Sequence, residues 1–203
     1  MKPLIVTILL LIKIFPLFSQ TEWTLKKEDD GIKVFHRDSK VSKFDDIKVI
    51  ADLPGNINQF ADILLDVPKY TEWAYATKTC EIVKKTSPTD FIYYSETSVP
   101  WPSSNRDLYA HCVLTENKTA HSFKLIASTI KGYKPVKDGI IRVPYSVGTW
   151  NVTTLPDKMI HVEYTLELDP GGSVPAWLLD LFSSKGPLET FSALKKKMQL
   201  LNK

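Results

Sequence analysis

Arginine, cysteine and glycine are scarce in this sequence, and its charges nearly cancel. The 203 residues contain three arginines, two cysteines and eight glycines, and 26 basic residues stand against 23 acidic ones, for a net charge of +3. So few arginines exclude a phosphate site built from several guanidinium groups, and so small a charge leaves no basic footprint for nucleic acid. Two cysteines exclude a disulfide-rich scaffold and a zinc site of the paired-cysteine type, so we expect no metal and no other cofactor.

The scarcity of glycine goes with an absence of glycine-based catalytic and nucleotide-binding motifs. The sequence contains no Gly-x-Ser-x-Gly elbow, phosphate-binding loop or dinucleotide fingerprint. The adjacent carboxylates Asp29–Asp30 and Asp45–Asp46 would point to opposite faces of a strand, so neither pair forms an acid–base dyad. A single inward histidine such as His36 is more often a satisfied core residue than a catalyst. The sequence therefore does not indicate an enzyme.

The first twenty residues have the pattern of a secretion signal. Lys2 precedes a short apolar stretch at residues 3–12. A membrane anchor is the alternative, but it needs about 20 predominantly apolar residues, and Lys13 interrupts the run. We expect a signal peptide at residues 1–20, export to the periplasm or the exterior, and one mature domain at residues 21–203.

Cys80 and Cys112 each lie within an apolar, strand-like stretch. A lone cysteine in such a stretch is usually a small buried hydrophobe, so two free buried thiols are expected. An oxidising compartment would nevertheless permit a bridge between them.

Hydrophobic periodicity divides the rest of the chain into two kinds of element. Residues 57–66 carry an apolar stripe at helical spacing behind Asn56, and residues 175–201 predict a long second helix, kinked near Gly186–Pro187. Alternation and turn residues predict about eight strands, at 31–38, 44–53, 77–86, 90–98, 105–116, 121–130, 140–154 and 158–168. Short connections favour an antiparallel sheet with one apolar face, which the long helix can cover. The predicted fold class is α+β, a curved antiparallel sheet wrapped around a long C-terminal helix.

Four short stretches carry a specific pattern. They are an opening strand at residues 31–37, a helix exit at 66–73, a proline-containing turn with an Arg-Asp pair at 100–107, and an Asp-Pro-Gly-Gly turn at 169–177. Through these stretches the sequence resembles the START family of lipid-transfer domains, of the helix-grip or Bet v 1-like superfamily. The resemblance covers nearly all of the expected mature chain, about residues 23–200. The Arg-Asp pair and the Asp-Pro-Gly-Gly turn together make the resemblance specific.

The resemblance implies a hydrophobic tunnel between the sheet and the last helix, filled by a lipid or another apolar ligand. It also makes the loop at residues 131–139 a candidate gate beside that helix, with an ordinary connection as the alternative. Sterol-binding members carry a cavity-facing arginine where this sequence has Cys112, so the resemblance implies an apolar pocket without a charged partner for a sterol hydroxyl. The expected ligand-binding wall comprises Leu108, Ala110, Cys112, Phe123, Leu125, Ala127, Tyr164 and Leu166, with Phe182 and Phe191 on the helix.

Arg106 completes the set of candidate ligand-binding residues, with two interpretations. It is either a structural lock that ties a strand to a loop or a polar group at the tunnel mouth. Strand alternation places Arg106 in phase with the inward face, at the solvent-exposed end of that face.

The leading hypothesis is an exported carrier that holds a lipid or other hydrophobic small molecule and transfers it. We expect a monomer with transient membrane contact and no nucleic-acid partner. One alternative is a protein-interaction module with a filled core and a partner patch of Tyr70, Trp73, Tyr75 and Trp101. The other is a helix-grip enzyme that acts on an apolar substrate, for which few inward polar groups are available.

Overall fold

The computed structural model describes residues 22–202, which form one ten-stranded sheet with helical segments against its inner face. The strands are β1 Thr24–Asp29, β2 Ile32–Arg37, β3 Asp46–Pro54, β4 Thr77–Ser87, β5 Asp90–Thr97, β6 Asn105–Asn117, β7 Ser122–Thr129, β8 Ile140–Arg142, β9 Tyr145–Leu155 and β10 Met159–Asp169. Their order is β1-β2-β3-β10-β9-β7-β6-β5-β4, with antiparallel neighbours, and β8 pairs in parallel with the start of β6. The predicted signal peptide lies outside the described residues.

The expected α+β helix-grip architecture is confirmed, with two more strands than the sequence indicated. The first addition, β1, pairs with the predicted opening strand along the edge of the sheet. The second arises because the strand expected at 140–154 is divided before Tyr145 into β8 and β9. Pro144 has no N–H to donate to a ladder, which accounts for the division.

The first helix, α1 (Ile57–Leu65), begins at a capping box. The Asn56 side chain accepts hydrogen bonds from the backbone N–H groups of Asn58 and Gln59, at 3.0 and 3.1 Å. The Gln59 side chain in turn accepts one from the Asn56 N–H at 3.1 Å. A 3₁₀ turn at Val67–Glu72 follows directly, and α1 packs against β9 and the last helix. The N-cap residue Asn56, which the sequence indicated, therefore sets the start of α1.

The C-terminal helix contains one π-helical turn. Its segments α2 (Ala176–Asp180) and α3 (Gly186–Leu201) are joined by the π turn Leu181–Lys185, just before the kink that the sequence indicated. The side chains that α3 buries recur every three or four residues, at Leu188, Phe191, Leu194 and Met198. This stripe packs against β2 and β3, as an amphipathic helix on a sheet requires. Among residues 22–202, no helix is long and apolar enough to cross a bilayer.

Pro187 affects the backbone hydrogen bonding of the π turn. Proline has no N–H, so the carbonyl four residues earlier, that of Ser183, receives no helical hydrogen bond from it. The His36 Nε2 atom on β2 lies 2.9 Å from the Ser183 oxygen, and because a carbonyl only accepts, this nitrogen is the donor. The other ring nitrogen of His36 lies 3.5 Å from Asp45 Oδ2. His36 is thus a buried histidine with partners, and it ties the first strands to the last helix.

Candidate functional site

Two adjacent rows of side chains cross the inner face of the central strands. The first row runs over β5, β6, β7, β9 and β10 and consists of Phe91, Cys112, Ala127, Gly148 and Leu166. The second runs over β6, β7, β9 and β10 and consists of Leu114, Leu125, Trp150 and Tyr164. Because neighbouring strands lie about 4.8 Å apart, side chains paired in this register form a continuous wall.

Phe191 of α3 lies over this wall. Its ring stacks on the Trp150 ring, with centroids 5.6 Å apart and planes inclined by 18°, and lies 6.3 Å from the Tyr164 ring. The Trp150 and Tyr164 centroids are 4.3 Å apart. Aromatic pairs at such separations contribute beyond the area that they bury. One aromatic cluster therefore holds the C-terminal helix against the sheet.

Three tyrosines on the inner face are partly accessible, and one of them, Tyr164, belongs to the aromatic cluster. Tyr70, Tyr93 and Tyr164 keep part of their accessible surface, although their rings pack against the buried core. Burial nevertheless raises the pKa of all three phenols well above the ordinary value of 10.0. These partly accessible side chains lie on the inner face, between the sheet and the helical segments, and we call this region the cleft. Two surface hollows, of about 550 Å³ beside Leu200 and about 170 Å³ beside His36, lie elsewhere.

The two cysteines face the same space as these phenols. Both are free and buried, and burial raises the pKa of each thiol to about 12. The charges that Cys80 and Cys112 would carry on ionisation also raise the pKa of Tyr70 and Tyr93. The phenols and thiols therefore lie within electrostatic reach of one another. The expectation of two free, buried thiols is confirmed, and both are protonated near neutral pH.

The Arg-Asp pair at the start of β6 is tied to two other segments. Arg106 donates to the carbonyl oxygens of Ser104, at 2.6 Å, and of Ser173, at 3.1 Å, just before α2. Asp107, which points to the outer face, accepts from Arg142 Nε at 2.6 Å and Nη2 at 3.0 Å. These hydrogen bonds with Asp107 raise the Arg142 pKa, whereas burial lowers that of Arg106. The hydrogen bonds of Arg106 match the structural-lock interpretation, and a ligand contact there remains a prediction.

The loop at residues 131–139 lies on the outer face of β5 and β6. Tyr133 packs on Tyr109 with centroids 5.1 Å apart, and Lys137 Nζ donates to the Tyr94 hydroxyl at 3.0 Å. Tyr94 and Tyr109 alternate with the wall residues of the same strands and so point away from them. The predicted position of this loop beside the C-terminal helix is therefore wrong, because these contacts place it across the sheet from the wall.

Strand β8, at the end of this loop, does reach the turn before α2. Gly171 and Gly172 have φ angles of 70° and 62°, in the left-handed region. A Cβ atom would lie 3.2 Å from Ile141 Cγ2 at the first glycine and 2.9 Å from Ile141 Cδ1 at the second. Backbone conformation and close approach both favour glycine here. The Asp-Pro-Gly-Gly turn thus packs against β8 and leads into the start of the last helix.

Most of the predicted wall residues lie together. Those in the buried core or packed against it are Cys112, Phe123, Leu125, Ala127, Tyr164, Leu166 and Phe191. Ala110 is buried beside Tyr93, and Leu108 is half-buried one pair further towards the mouth. Phe182, in the π turn, packs against Tyr75 with centroids 6.0 Å apart. Contact of any of these side chains with a ligand stays a prediction.

Sequence reasoning missed Trp150 and misplaced two aromatic residues after α1. Alternation within β9, where Trp150 and Val152 share the buried face, was the available signal for the first. The predicted partner patch is wrong for Trp73, which is only 6% exposed, and for Tyr70, whose hydroxyl donates to the Leu64 carbonyl inside the protein. The 3₁₀ turn between α1 and β4 folds both rings inward, where they lie 4.7 Å apart.

Comparison with known proteins assigns this architecture to a family. The sequence model of the START domain matches residues 17–203. The chain belongs to the START domain family. Members of this family bind lipids or other hydrophobic ligands, so the internal cleft of this START domain is its candidate ligand site.

Similar proteins occur in bacteria and mammals. Uncharacterized protein PA1579 of Pseudomonas aeruginosa is 30% identical over 177 residues, which cover 86% of this chain and 85% of that one. The phosphatidylcholine transfer protein of mouse is 26% identical, covering 84% of this chain and 81% of the mouse protein. The crystal structure of a STAR-related lipid transfer protein from Xanthomonas axonopodis has a TM-score of 0.78 at 26% identity, over 87% of this chain and 98% of that one.

Proposed function

We propose that this START domain holds one lipid molecule in the cleft between the inner face of the sheet and the C-terminal helix, and carries it between membranes. The observation that supports the proposal is the two-row apolar wall beneath the aromatic cluster of Phe191, Trp150 and Tyr164. A lipid chain against this wall would gain about 25 cal/mol for each Å² of apolar surface removed from water, before entropic costs. The proposed function includes no chemical step.

The smallest residues of the wall lie in the middle of its first row. Ala127 and Gly148 are neighbours in the first row, between the larger side chains of Phe91 and Leu166. Ala127 keeps part of its accessible surface, although it packs against the core. A ligand chain crossing the wall is therefore expected to pass over Ala127, beside the Tyr164 ring that covers Gly148.

One end of the domain is suited to transient membrane contact. Trp101, in the loop before β6, is 91% exposed, and Trp177, on α2, is 46% exposed. The hydrogen bond from Arg106 to Ser173 holds the start of β6 next to the segment that leads into α2. Tryptophan side chains prefer the interface between water and lipid, and the nearby loop at residues 131–139 adds exposed lysines. We assign the membrane-facing end to these segments.

Export is a separate part of the proposal and rests on the sequence of residues 1–20. In this proposal the domain acts as an exported monomer, in the periplasm or outside the cell. N-terminal sequencing of the protein from the cell envelope and medium tests it. A mature chain that begins near residue 21 is the expected result, and a full-length chain confined to the cytoplasm would contradict it.

The carrier function is tested by measuring lipid uptake after a large side chain is placed on the wall. The protein is incubated with vesicles of pyrene-labelled phosphatidylcholine, and the lipid bound per chain is measured after separation. Ala127→Trp places a large ring on the wall and is expected to abolish most uptake, while the domain still unfolds cooperatively. Thr153→Trp adds the same ring on the exposed, outward side of β9 and should leave uptake unchanged. Equal uptake by both folded variants would contradict the proposed site.

A further inference from the structure

Two hydroxyl groups on the inner wall have no hydrogen-bond partner among the residues that the structure describes. They belong to Tyr93 on β5 and Tyr164 on β10, whose side chains keep accessible surface within the cleft. The third phenol of this group, that of Tyr70, donates instead to the Leu64 carbonyl. Tyr93 and Tyr164 therefore present free donors to the space where the ligand is proposed to lie.

Both hydroxyls remain donors at any physiological pH. Burial is the largest cause that raises the pKa of each phenol, so the proton stays on the oxygen. A phenylalanine at either position would give the same ring packing without a polar atom. Neither hydroxyl is among the fully buried polar side-chain atoms without a partner in residues 22–202, which are Asp46 Oδ1 and Trp73 Nε1, and both tyrosines keep accessible surface. A ligand oxygen that accepts from these hydroxyls would gain hydrogen bonds that the protein itself does not supply.

Gly148 positions the Tyr164 hydroxyl. A Cβ atom at Gly148 would lie 3.2 Å from the Tyr164 oxygen and 3.4 Å from its Cε2 atom. The Tyr164 ring thus lies across the place that any larger residue on β9 would occupy. Its hydroxyl extends from the second row over Gly148 in the first row, and Ala127 is the neighbour of Gly148 in that row.

The groups around the two phenols favour an uncharged acceptor. In the strand register, Tyr93 pairs with Ala110 on β6, and Tyr164 pairs with Trp150 and Val49, all of them uncharged. Burial, followed by Cys112, Cys80 and Tyr164, raises the pKa of Tyr93, and no lysine or arginine among residues 22–202 lowers it, as a nearby cation would. The same holds for Tyr164, where burial alone acts. A carboxylate or phosphate placed there would lose its hydration without gaining a counter-charge. A carbonyl oxygen would lose far less and would gain the hydrogen bonds.

We propose that Tyr93 and Tyr164 select the ligand by donating hydrogen bonds to ester carbonyl oxygens on its buried part. This inference rests on the proposed lipid-carrying function and deepens it. The shared chemistry is the acyl ester, which phospholipids and uncharged acylglycerols both carry. The ligand is then an ester lipid and not a free fatty acid or a plain hydrocarbon.

The test compares ester lipids with ether lipids that lack the carbonyl oxygens. Binding of pyrene-labelled diester and diether phosphatidylcholine, and of diester and diether diglyceride, is measured for wild-type protein and for Tyr93→Phe, Tyr164→Phe and the double variant. Wild-type protein is expected to prefer the ester form by about two- to tenfold for each hydroxyl that bonds. The double variant should bind both forms alike. Its ligand-free melting temperature should equal or exceed that of wild type, which a merely structural role would not produce.

Two further variants keep the test decisive. Tyr145→Phe removes a hydroxyl that donates to Glu167 at 2.9 Å, away from the cleft, and should leave the ester preference unchanged. Gly148→Ala keeps both hydroxyls but displaces that of Tyr164, so it should reduce the preference. Bound lipids without an ester preference, or a preference that survives in the double variant, would overturn the inference while the carrier function stands. Failure of wild-type protein to bind any of the four lipids would overturn the carrier function itself.

Discussion

Neighbouring residues of β5 and β6 point to opposite faces of the sheet, and the two faces differ in how their polar groups are satisfied. On the outer face, Glu96 accepts hydrogen bonds from Lys78 and Asn105, both at 2.8 Å, and from Tyr94 at 3.3 Å. On the inner face, the Tyr93 hydroxyl has no partner among residues 22–202. Tyr93 and Tyr94 are adjacent, so composition alone does not produce the contrast.

The contrast separates the groups that stabilise the fold from those that are available to a ligand. The outer polar groups bind the loop at residues 131–139 and β8 to the sheet, through Lys137 and Arg142. The inner wall leaves its few polar atoms facing the cleft. Changes to the outer polar network should therefore reduce stability with little effect on ligand choice. Changes to the unpaired hydroxyls of the inner face should alter ligand choice with little effect on stability.

Asp107→Asn is expected to have the largest effect on stability. It leaves the guanidinium of Arg142, whose side chain is 14% exposed, without its counter-charge. Breaking a buried pair in this way should lower the free energy of unfolding by about 3 kcal/mol, measured in urea. The control Glu28→Gln breaks the exposed pair with Lys33 and should cost about 1 kcal/mol or less. Equal losses for the two variants, or a lost ester preference in folded Asp107→Asn, would break the proposed separation.

His36 sharpens the comparison because it is an inner-face polar residue that does have a partner. His36→Ala removes the partly buried hydrogen bond to the Ser183 carbonyl and should lower the free energy of unfolding by about 2 kcal/mol. Pro187→Ala restores an N–H to the helix, so His36→Ala should cost about 1 kcal/mol less in that background. Urea unfolding of the four proteins in this cycle measures the difference. Identical costs in both backgrounds would mean that Pro187 does not create the need for His36.

The smallest expected effect is a change in how the free energy of unfolding depends on pH in acid, caused by Glu96→Gln. The hydrogen bond from Lys78 is the largest cause that lowers the Glu96 pKa below its ordinary value of 4.5. The folded pKa is therefore below the unfolded one, so the stabilising contribution is complete above about pH 4.5 and is lost as the pH falls through the folded value. Unfolding free energies between pH 7 and pH 3 should fall less steeply for Glu96→Gln than for wild type. Parallel curves would show that the outer network does not depend on this charge.

The wall of β6 and β7 could be predicted because its alternation is simple. Cys112, Leu125 and Ala127 alternate with polar or half-exposed neighbours, so the pattern alone gives their face. In β5 the adjacent residues Tyr93 and Tyr94 are both aromatic, so the sequence does not show which of them points to the inner face. Only the register with β6 shows that Tyr93 does. The inner hydroxyl therefore could not be assigned from the sequence.

Contacts between distant segments account for the rest of what the sequence did not reveal. The hydrogen bond from His36 to Ser183 joins residues 147 positions apart, and no local sequence pattern predicts it. The position of the loop at residues 131–139 depends on Tyr94 and Tyr109, two outer-face rings that strand alternation would leave to solvent. Both rings are buried, at 2% and 6% exposed. Sequence periodicity fixes the face of a side chain but not the segment that covers it.

The most direct measurement is native mass spectrometry of residues 21–203, purified without detergent and followed by organic extraction and lipid identification. The carrier account expects one co-purifying ester lipid per chain, released on denaturation and absent from Ala127→Trp. Protein that has only the mass of the chain, and that takes up no phospholipid, acylglycerol or fatty acid when these are supplied, would contradict it. That result would favour a domain whose interior is filled by its own side chains.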